Sequence, residues 1–275
     1  MTQKAIDTED REIVIKAEDV VRRFGDRTIL NGISLEIYRG ETFVIMGGSG
    51  CGKSTFLRHL IGALKPDSGK VHLLGKDLSS LDEDRLDALK KKIGMCFQSA
   101  ALFDSMTVGE NVSLPLREHT KLEKSVIDTV VKMKLELVGL RGFEALMPSQ
   151  LSGGMRKRVG LARAIVLDPE IIFYDEPTAG LDPIVSGVID KLILDLSKKL
   201  SITSVVVTHD MKSVFSIADR VAMLYEGRVL EVGKPDQIKK SKNEMVQQFI
   251  SGSPDGPIKF FQQKDDYLEQ IMRGA

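Results

Sequence analysis

A glycine-rich turn joins an apolar strand to a helix near the start of this chain, and few folds accommodate it. Residues 42–46 read as a fully apolar strand, and residues 54–63 read as a helix with Leu57, Leu60 and Ile61 on one face. Between them stand Gly47, Gly48, Ser49, Gly50, Cys51, Gly52, Lys53 and Ser54, followed by Thr55. This is the pattern G-x-x-x-x-G-K-[ST] in its required context. Glycines let successive backbone N–H groups turn inward onto phosphate oxygens, and the helix start adds its positive end. Lys53 is placed to reach the β- and γ-phosphates, and the Ser54 hydroxyl to bind Mg²⁺. A turn with an incidental lysine is the plain alternative, and the flanking elements weigh against it.

Other strands are expected at residues 13–15, 35–37, 71–74 and 93–97. Residues 171–174 and 204–207 are apolar runs of the kind covered on both faces of a sheet. From about 108 to 147 strands are scarce, and Val126, Val130, Met133 and Leu137 follow helical spacing. The reading is an α/β core with a helical insertion. Helix returns around residues 236–250. A breaker cluster at residues 251–257 then sets off a short tail.

The run at residues 171–174 ends in Asp175 and Glu176. A buried strand would deliver both carboxylates to the sheet edge that carries the phosphate loop. Asp175 would hold Mg²⁺, usually through water, and Glu176 would polarise a water as general base. Alone, a strand ending in two acids is common and solvated. Just upstream, Leu151, Ser152, Gly153, Gly154 and Met155 open a helix that runs through Ile165. Ser152 is suited to cap it, leaving the Gly153 and Gly154 N–H groups as a second anion site.

That segment resembles the signature of ABC (ATP-binding cassette) ATPases, and the family's other elements follow in order. Gln98 matches the Q-loop, residues 179–182 ending in Asp182 match the D-loop, and His209 matches the switch histidine. Phe24 matches the aromatic that stacks on adenine, where the family more often has Tyr. The resemblance covers about residues 12–250. It implies a P-loop NTPase of the ABC ATPase type: an α/β fold with a RecA-like core, an antiparallel β subdomain and an inserted helical subdomain at about 101–164. It also implies hydrolysis of ATP with Mg²⁺, held by Ser54, Gln98 and Asp175, with Glu176 and His209 catalytic. Ser152, Gly153 and Gly154 would close on the nucleotide of a second copy, giving a two-fold homodimer. Residues 1–11 are expected as a flexible N-terminus and 251–275 as a C-terminal extension.

Residues 97–103, 115–120, 147–155 and 255–257 resemble one subfamily, the ATPases of Mla- and MCE-type phospholipid transport between the inner and outer membranes of Gram-negative bacteria. Met155, in place of the usual Gln, belongs to that pattern. The resemblance implies an integral membrane permease, an MCE lipid-binding protein and a small STAS-domain protein as partners, on the cytoplasmic face of the inner membrane. The permease groove is expected near residues 98–104 and the insertion. In this subfamily the tail can cross the dimer, and Phe260, Phe261, Tyr267, Leu268 and Ile271 give it apolar anchors, against the alternative of a frayed end.

Composition supports this by exclusion. Lys plus Arg and Asp plus Glu number 39 each, so no basic excess points to nucleic acid as a partner. No apolar run approaches the 18 or so residues of a membrane span, and residues 1–11 lack the apolar core of a signal peptide. Cys51 and Cys96 show neither a disulfide framework nor metal spacing. Redox control through Cys51 is the sharper reading of that residue, and a small side chain tolerated in the loop is the favoured one. Arg156, Lys157 and Arg158 are expected to form a solvated helix face rather than an anion-binding surface. A transporter of another cargo and a soluble iron–sulfur-assembly ATPase are the competing functions.

Overall fold

The computed structural model describes residues 11–258. The first sheet is antiparallel. It orders β2 (Arg27–Tyr38), β1 (Ile13–Phe24), β4 (Ser68–Leu73) and β5 (Lys76–Asp77) side by side. The second sheet has six strands: β10 (Arg228–Gly233), β9 (Arg220–Tyr225), β3 (Thr42–Met46), β8 (Thr203–Thr208), β7 (Ile171–Asp175) and β6 (Ile93–Cys96), in that spatial order. Its pairs are parallel except for the hairpin of β9 and β10. That hairpin escaped the sequence reading. Its two-residue turn, Glu226 and Gly227, has φ of +45° and +72°, so both residues take the left-handed conformation that a tight hairpin matching strand twist requires.

Nine α-helices complete the described residues. They are α1 (Lys53–Leu60), α2 (Glu83–Lys90), α3 (Val108–His119), α4 (Lys124–Leu137), α5 (Gly153–Ala164), α6 (Pro183–Leu200), α7 (Met211–Ile217), α8 (Pro235–Lys239) and α9 (Glu244–Ser251). Their starts follow from sequence. Thr107 and Glu110 form a reciprocal capping box on α3. Asp182 caps α6 by accepting from the N–H groups of Ile184 and Val185, with Pro183 in the first turn. The single helical stretch expected at 236–250 is two helices, because the Asn243 side chain caps a new start by accepting from Met245 N–H. α1 ends at Leu60, earlier than expected, where Gly62 turns the chain at φ +69°.

The fully buried parallel strands separate two cores. On one face Val44, Met46, Ile172, Tyr174 and Val206 pack with α3 to α7. On the other, Phe43, Ile45, Phe173, Val205 and Val207 pack with α1 and the antiparallel sheet. In α4 the apolar stripe that enters the core is Ile127, Val131 and Leu135. The spacing noted from sequence runs one residue out of phase, and it leaves Val126 and Met133 exposed. Both stripes are apolar, so periodicity alone cannot choose between them.

The segment after α9 stays with the body. Ile258 is buried, and the Gln248 side chain both accepts from Ile258 N–H and donates to Ile258 C=O. The expectations for residues 1–10 and for the anchors Phe260, Phe261, Tyr267, Leu268 and Ile271 lie outside the described residues.

Candidate functional site

Register aligns the site. Met46 pairs with Thr208 and Asp175 with Val207, so neighbouring parallel strands end at one level. The phosphate loop, Glu176 and His209 therefore leave the sheet on the same edge, where open α/β sheets bind ligands. In the loop, a Cβ on Gly47 would lie 2.2 Å from the Leu224 carbonyl oxygen, so no larger residue fits there. Gly52 caps α1 at φ +102° with no side-chain bond, which leaves the first-turn N–H groups free for an anion. Lys53 is buried and donates to the carbonyls of Gly47 and Gly48 at 2.8 and 2.9 Å. An ammonium has three donors, so one remains for a phosphate oxygen.

Ser54 Oγ donates to Asp175 Oδ1 at 2.9 Å, joining two hard oxygen ligands across 121 residues of sequence. Glu176 follows with φ +48°, its N–H bonded to Val207 C=O at 2.9 Å. A non-glycine residue in this region stores strain of the kind found at functional sites. Its carboxylate accepts from His209 Nδ1, at 2.9 Å to each oxygen. The glutamate side chain is 12% exposed and the histidine 63%, so the pair presents imidazole outward and carboxylate inward.

Phe24, Ile29, Gly48, Ser49, Gly50, Gly52, Lys53, Ser54, Thr55, Gln98, Glu176 and His209 line one cleft of about 890 Å³. Phe24 is half exposed at the end of β1, and the Arg22 guanidinium covers one of its faces at 4.7 Å. The other face is left for a flat ring. Asp175 and Gln98 meet in an adjoining hollow with Phe97, Ser99, Ala179 and Gly180. Gln98 thus bridges the carboxylate edge and the cleft. Oxygen ligands of this kind suit Mg²⁺, which takes few protein ligands and completes its shell with water and phosphate.

Ser152, Gly153, Gly154 and Asp182 do not line that cleft. Ser152 caps α5 by accepting from Met155 N–H, and Gly154 packs so tightly on α6 that a Cβ would lie 2.5 Å from Val185 Cγ1. The Asp182 carboxylate is engaged on the first turn of α6. Burial pushes the Cys51 thiol above its ordinary range despite the charge of Lys53.

Sequence reasoning missed several residues. Met211, Phe249, Ile250, Ser251 and Gly252 form a further wall of the cleft. The basic triplet on α5 is only in part the solvated face expected: Arg156 is exposed, while Lys157 and Arg158 are half-buried. Arg156 donates to Leu151 C=O and Arg158 to the carbonyls of Val138 and Gly139 at the end of α4. Lys157 donates to the carbonyls of Gln98 and Glu176. Arg163, from the same helix, holds the carbonyls of Ala100 and Ala101, both at 2.8 Å. Those alanines have φ of +62° and +47°, so the loop after Gln98 is strained and clamped. Beyond it lies a groove of about 520 Å³ lined by Phe97, Phe103, Pro115 and His119, with Lys90, Lys91 and Arg163 among its walls. None of the described helices is long and apolar enough to cross a membrane.

Residues 30–179 match the sequence model of the ABC transporter family. The chain is 43% identical to the intermembrane phospholipid transport system ATP-binding protein MlaF of Haemophilus influenzae over 94% of this chain and 98% of that protein. It is 43% identical to the chloroplastic protein TRIGALACTOSYLDIACYLGLYCEROL 3 of Arabidopsis thaliana, over 91% of this chain and 77% of that protein. Among solved structures it resembles the ATP-binding cassette MJ0796, a dimer in a post-hydrolysis state with ADP and phosphate. There the TM-score is 0.74 at 33% identity, covering 80% of this chain and 98% of that one.

Proposed function

The chain belongs to the ABC transporter family as an ATP-hydrolysing subunit, and from that premise we propose that it powers phospholipid movement between two membranes. The match to MlaF over nearly the whole of both chains carries this reading of the cargo. The likeness to a plant protein named for a galactolipid supports a lipid in the wider sense.

In the proposed site Phe24 stacks on adenine, with Arg22 behind it. The N–H groups of residues 47–55 wrap the phosphates, and Lys53 adds its remaining donor. Ser54, Gln98 and Asp175 hold Mg²⁺, which when bound neutralises phosphate charge. Glu176 takes the proton of the attacking water as its oxygen approaches the γ-phosphorus and ADP leaves. His209 Nδ1 holds that carboxylate in line and turns the other ring nitrogen toward the phosphate edge.

Ser152, Gly153 and Gly154 stand outside the cleft of their own chain, which supports their use on the nucleotide of a second copy. The D-loop residue Asp182 then acts by fixing the start of α6 at the same junction. The likeness to a dimeric cassette supports that arrangement. The groove at Phe97 and Phe103 offers an apolar floor with cationic walls to a helix of an integral membrane permease. An MCE lipid-binding protein and a small STAS-domain protein complete the proposed assembly, on the cytoplasmic face of the inner membrane.

The test is purification with the membrane partner, followed by lipid analysis of the complex. ATP should change the amount of bound phospholipid. A complex that holds no lipid, and whose hydrolysis ignores added phospholipid, would refute the cargo.

A further inference from the structure

Lys157 lies on α5, five residues after Ser152. Its ammonium donates to two backbone carbonyls, that of Gln98 and, at 3.2 Å, that of Glu176. No carboxylate among the described residues forms an ion pair with it. Burial pulls the ammonium below the ordinary lysine range, opposed by the nearby Glu176 and Asp175 charges. A half-buried charge without a paired carboxylate is held by the carbonyls it bonds. Those carbonyls are 78 residues apart in sequence, and each belongs to a residue of the nucleotide cleft.

The connection reaches further than one cleft. α5 begins at Ser152, Gly153 and Gly154, which stand outside the cleft of their own chain. One helix thus presents its first turn to one site and, a turn later, ties down the backbone of two residues of another. A rigid helix passes a displacement at its start to a side chain one turn on, because the intervening hydrogen bonds do not stretch. The peptide of Glu176 is also the strained one, at φ +48°, so a tie at its carbonyl acts where the backbone has least freedom.

We propose that Lys157 is a positioning residue that couples the two ATP sites of the dimer, by linking the signature end of α5 to the Gln98 and Glu176 peptides of its own chain. The proposal rests on the reading of the site given above. When the first turn of α5 closes on the partner's nucleotide, Lys157 carries that closure into its own cleft. It aligns the Glu176 carboxylate and the Gln98 side chain together.

The experiment compares Lys157→Met and Lys157→Arg with the unaltered full chain. ATP affinity, steady-state hydrolysis, its Hill coefficient and the melting temperature are measured for each. Lys157→Met keeps the apolar stem and removes the donors. It should bind ATP normally, because the phosphate loop is intact. Its kcat should fall by about tenfold to a hundredfold, as misplaced groups cost, and its Hill coefficient should fall toward one. Lys157→Arg should recover most of kcat and the cooperativity. A residue that only filled space would lower the melting temperature and leave the Hill coefficient alone.

Unchanged kcat and Hill coefficient in Lys157→Met would overturn the proposal, as would a loss that Lys157→Arg fails to restore. Should Lys157→Met not fold, Lys157→Gln takes its place, retaining one amide donor group without charge. Its Hill coefficient should then lie between those of the Arg variant and one, and an unaltered value would overturn the proposal. Glu176→Gln is run alongside. Normal turnover there would sink the underlying assignment of the base. An inactive Glu176→Gln with an unaffected Lys157 variant would sink the coupling alone.

Discussion

Glu176 holds its carboxylate on a backbone that an ordinary side chain avoids, and bonds from four residues over-determine it. Its N–H is bound by Val207, its carbonyl by Ala179 N–H and Lys157, and its carboxylate by His209. Gln is close to Glu in shape and can keep the contact with His209 once the amide turns, so Glu176→Gln should leave the fold and the binding of ATP intact. What it loses is the proposed base. Hydrolysis should drop by about two to four orders of magnitude, the usual worth of a positioned proton acceptor. Single-turnover assays check this, with melting temperature as the control. Near-normal turnover would remove Glu176 from the role of base.

At the scale of elements, the base of the sheet carries a buried carboxylate. Glu41, just before β3, is fully buried, accepts from Tyr38 N–H and pairs with Arg220 of β9 at 3.0 Å. Arg220 also stacks on Tyr38 and Phe43. Burial raises the Glu41 carboxyl above its ordinary range, outweighing the pull of Arg220. The folded chain therefore favours the proton more than the unfolded chain does. The contribution of Glu41 is fully present below the usual carboxylate range and is lost as pH rises through the raised native value. Arg220→Met strands this charge and should cost about 3–5 kcal/mol near neutral pH. The deficit should shrink as pH falls and Glu41 takes up its proton. Urea unfolding at several pH values measures it, and a deficit that does not vary with pH would show that only packing was lost.

Elements also mark how far the sequence could be read. The phosphate loop, the two acids of β7 and the capped start of α5 were legible because each motif is local, with strand, turn and helix in consecutive residues. The alternation that would have given β9 is masked by burial on both faces, and β10 is a partly exposed edge strand whose adjacent Val229 and Leu230 break the alternation. The phase of α4 was hidden because two apolar stripes compete. The cations of α5 were hidden for another reason. A lysine or arginine that bonds a carbonyl has no partner residue type to signal it, since every residue carries that acceptor. Lys157 and Arg163 reach the loop from Gln98 to Ala101, some 60 residues away, and only the fold brings them there.

At the scale of the whole molecule, the proposed dimer has each chain offer half of two sites. Lys53→Ala should disable the phosphate loop of its own chain, and Ser152→Arg should block the first turn of α5 that serves the partner. Neither homodimer should hydrolyse ATP at an appreciable rate. Mixed together they should form dimers with one intact site, built from the Lys53 of the Ser152→Arg chain and the Ser152 of the Lys53→Ala chain. Recovered hydrolysis in the mixture checks this. Silence at every mixing ratio, with mixed dimers demonstrated, would mean that sites are not shared in that way.

The alternation along β8 gives the sheet the character of a party wall. Val205 and Val207 furnish one room, shared with α1 and the antiparallel sheet, while Val206 between them furnishes the other, shared with α3 to α7. Neighbouring positions on one strand thus answer to different tenants. The room beside α1 and the room behind the groove at Phe97 and Phe103 can be refurnished separately, and the cleft, at the edge where the wall ends, is where an alteration on either side is felt.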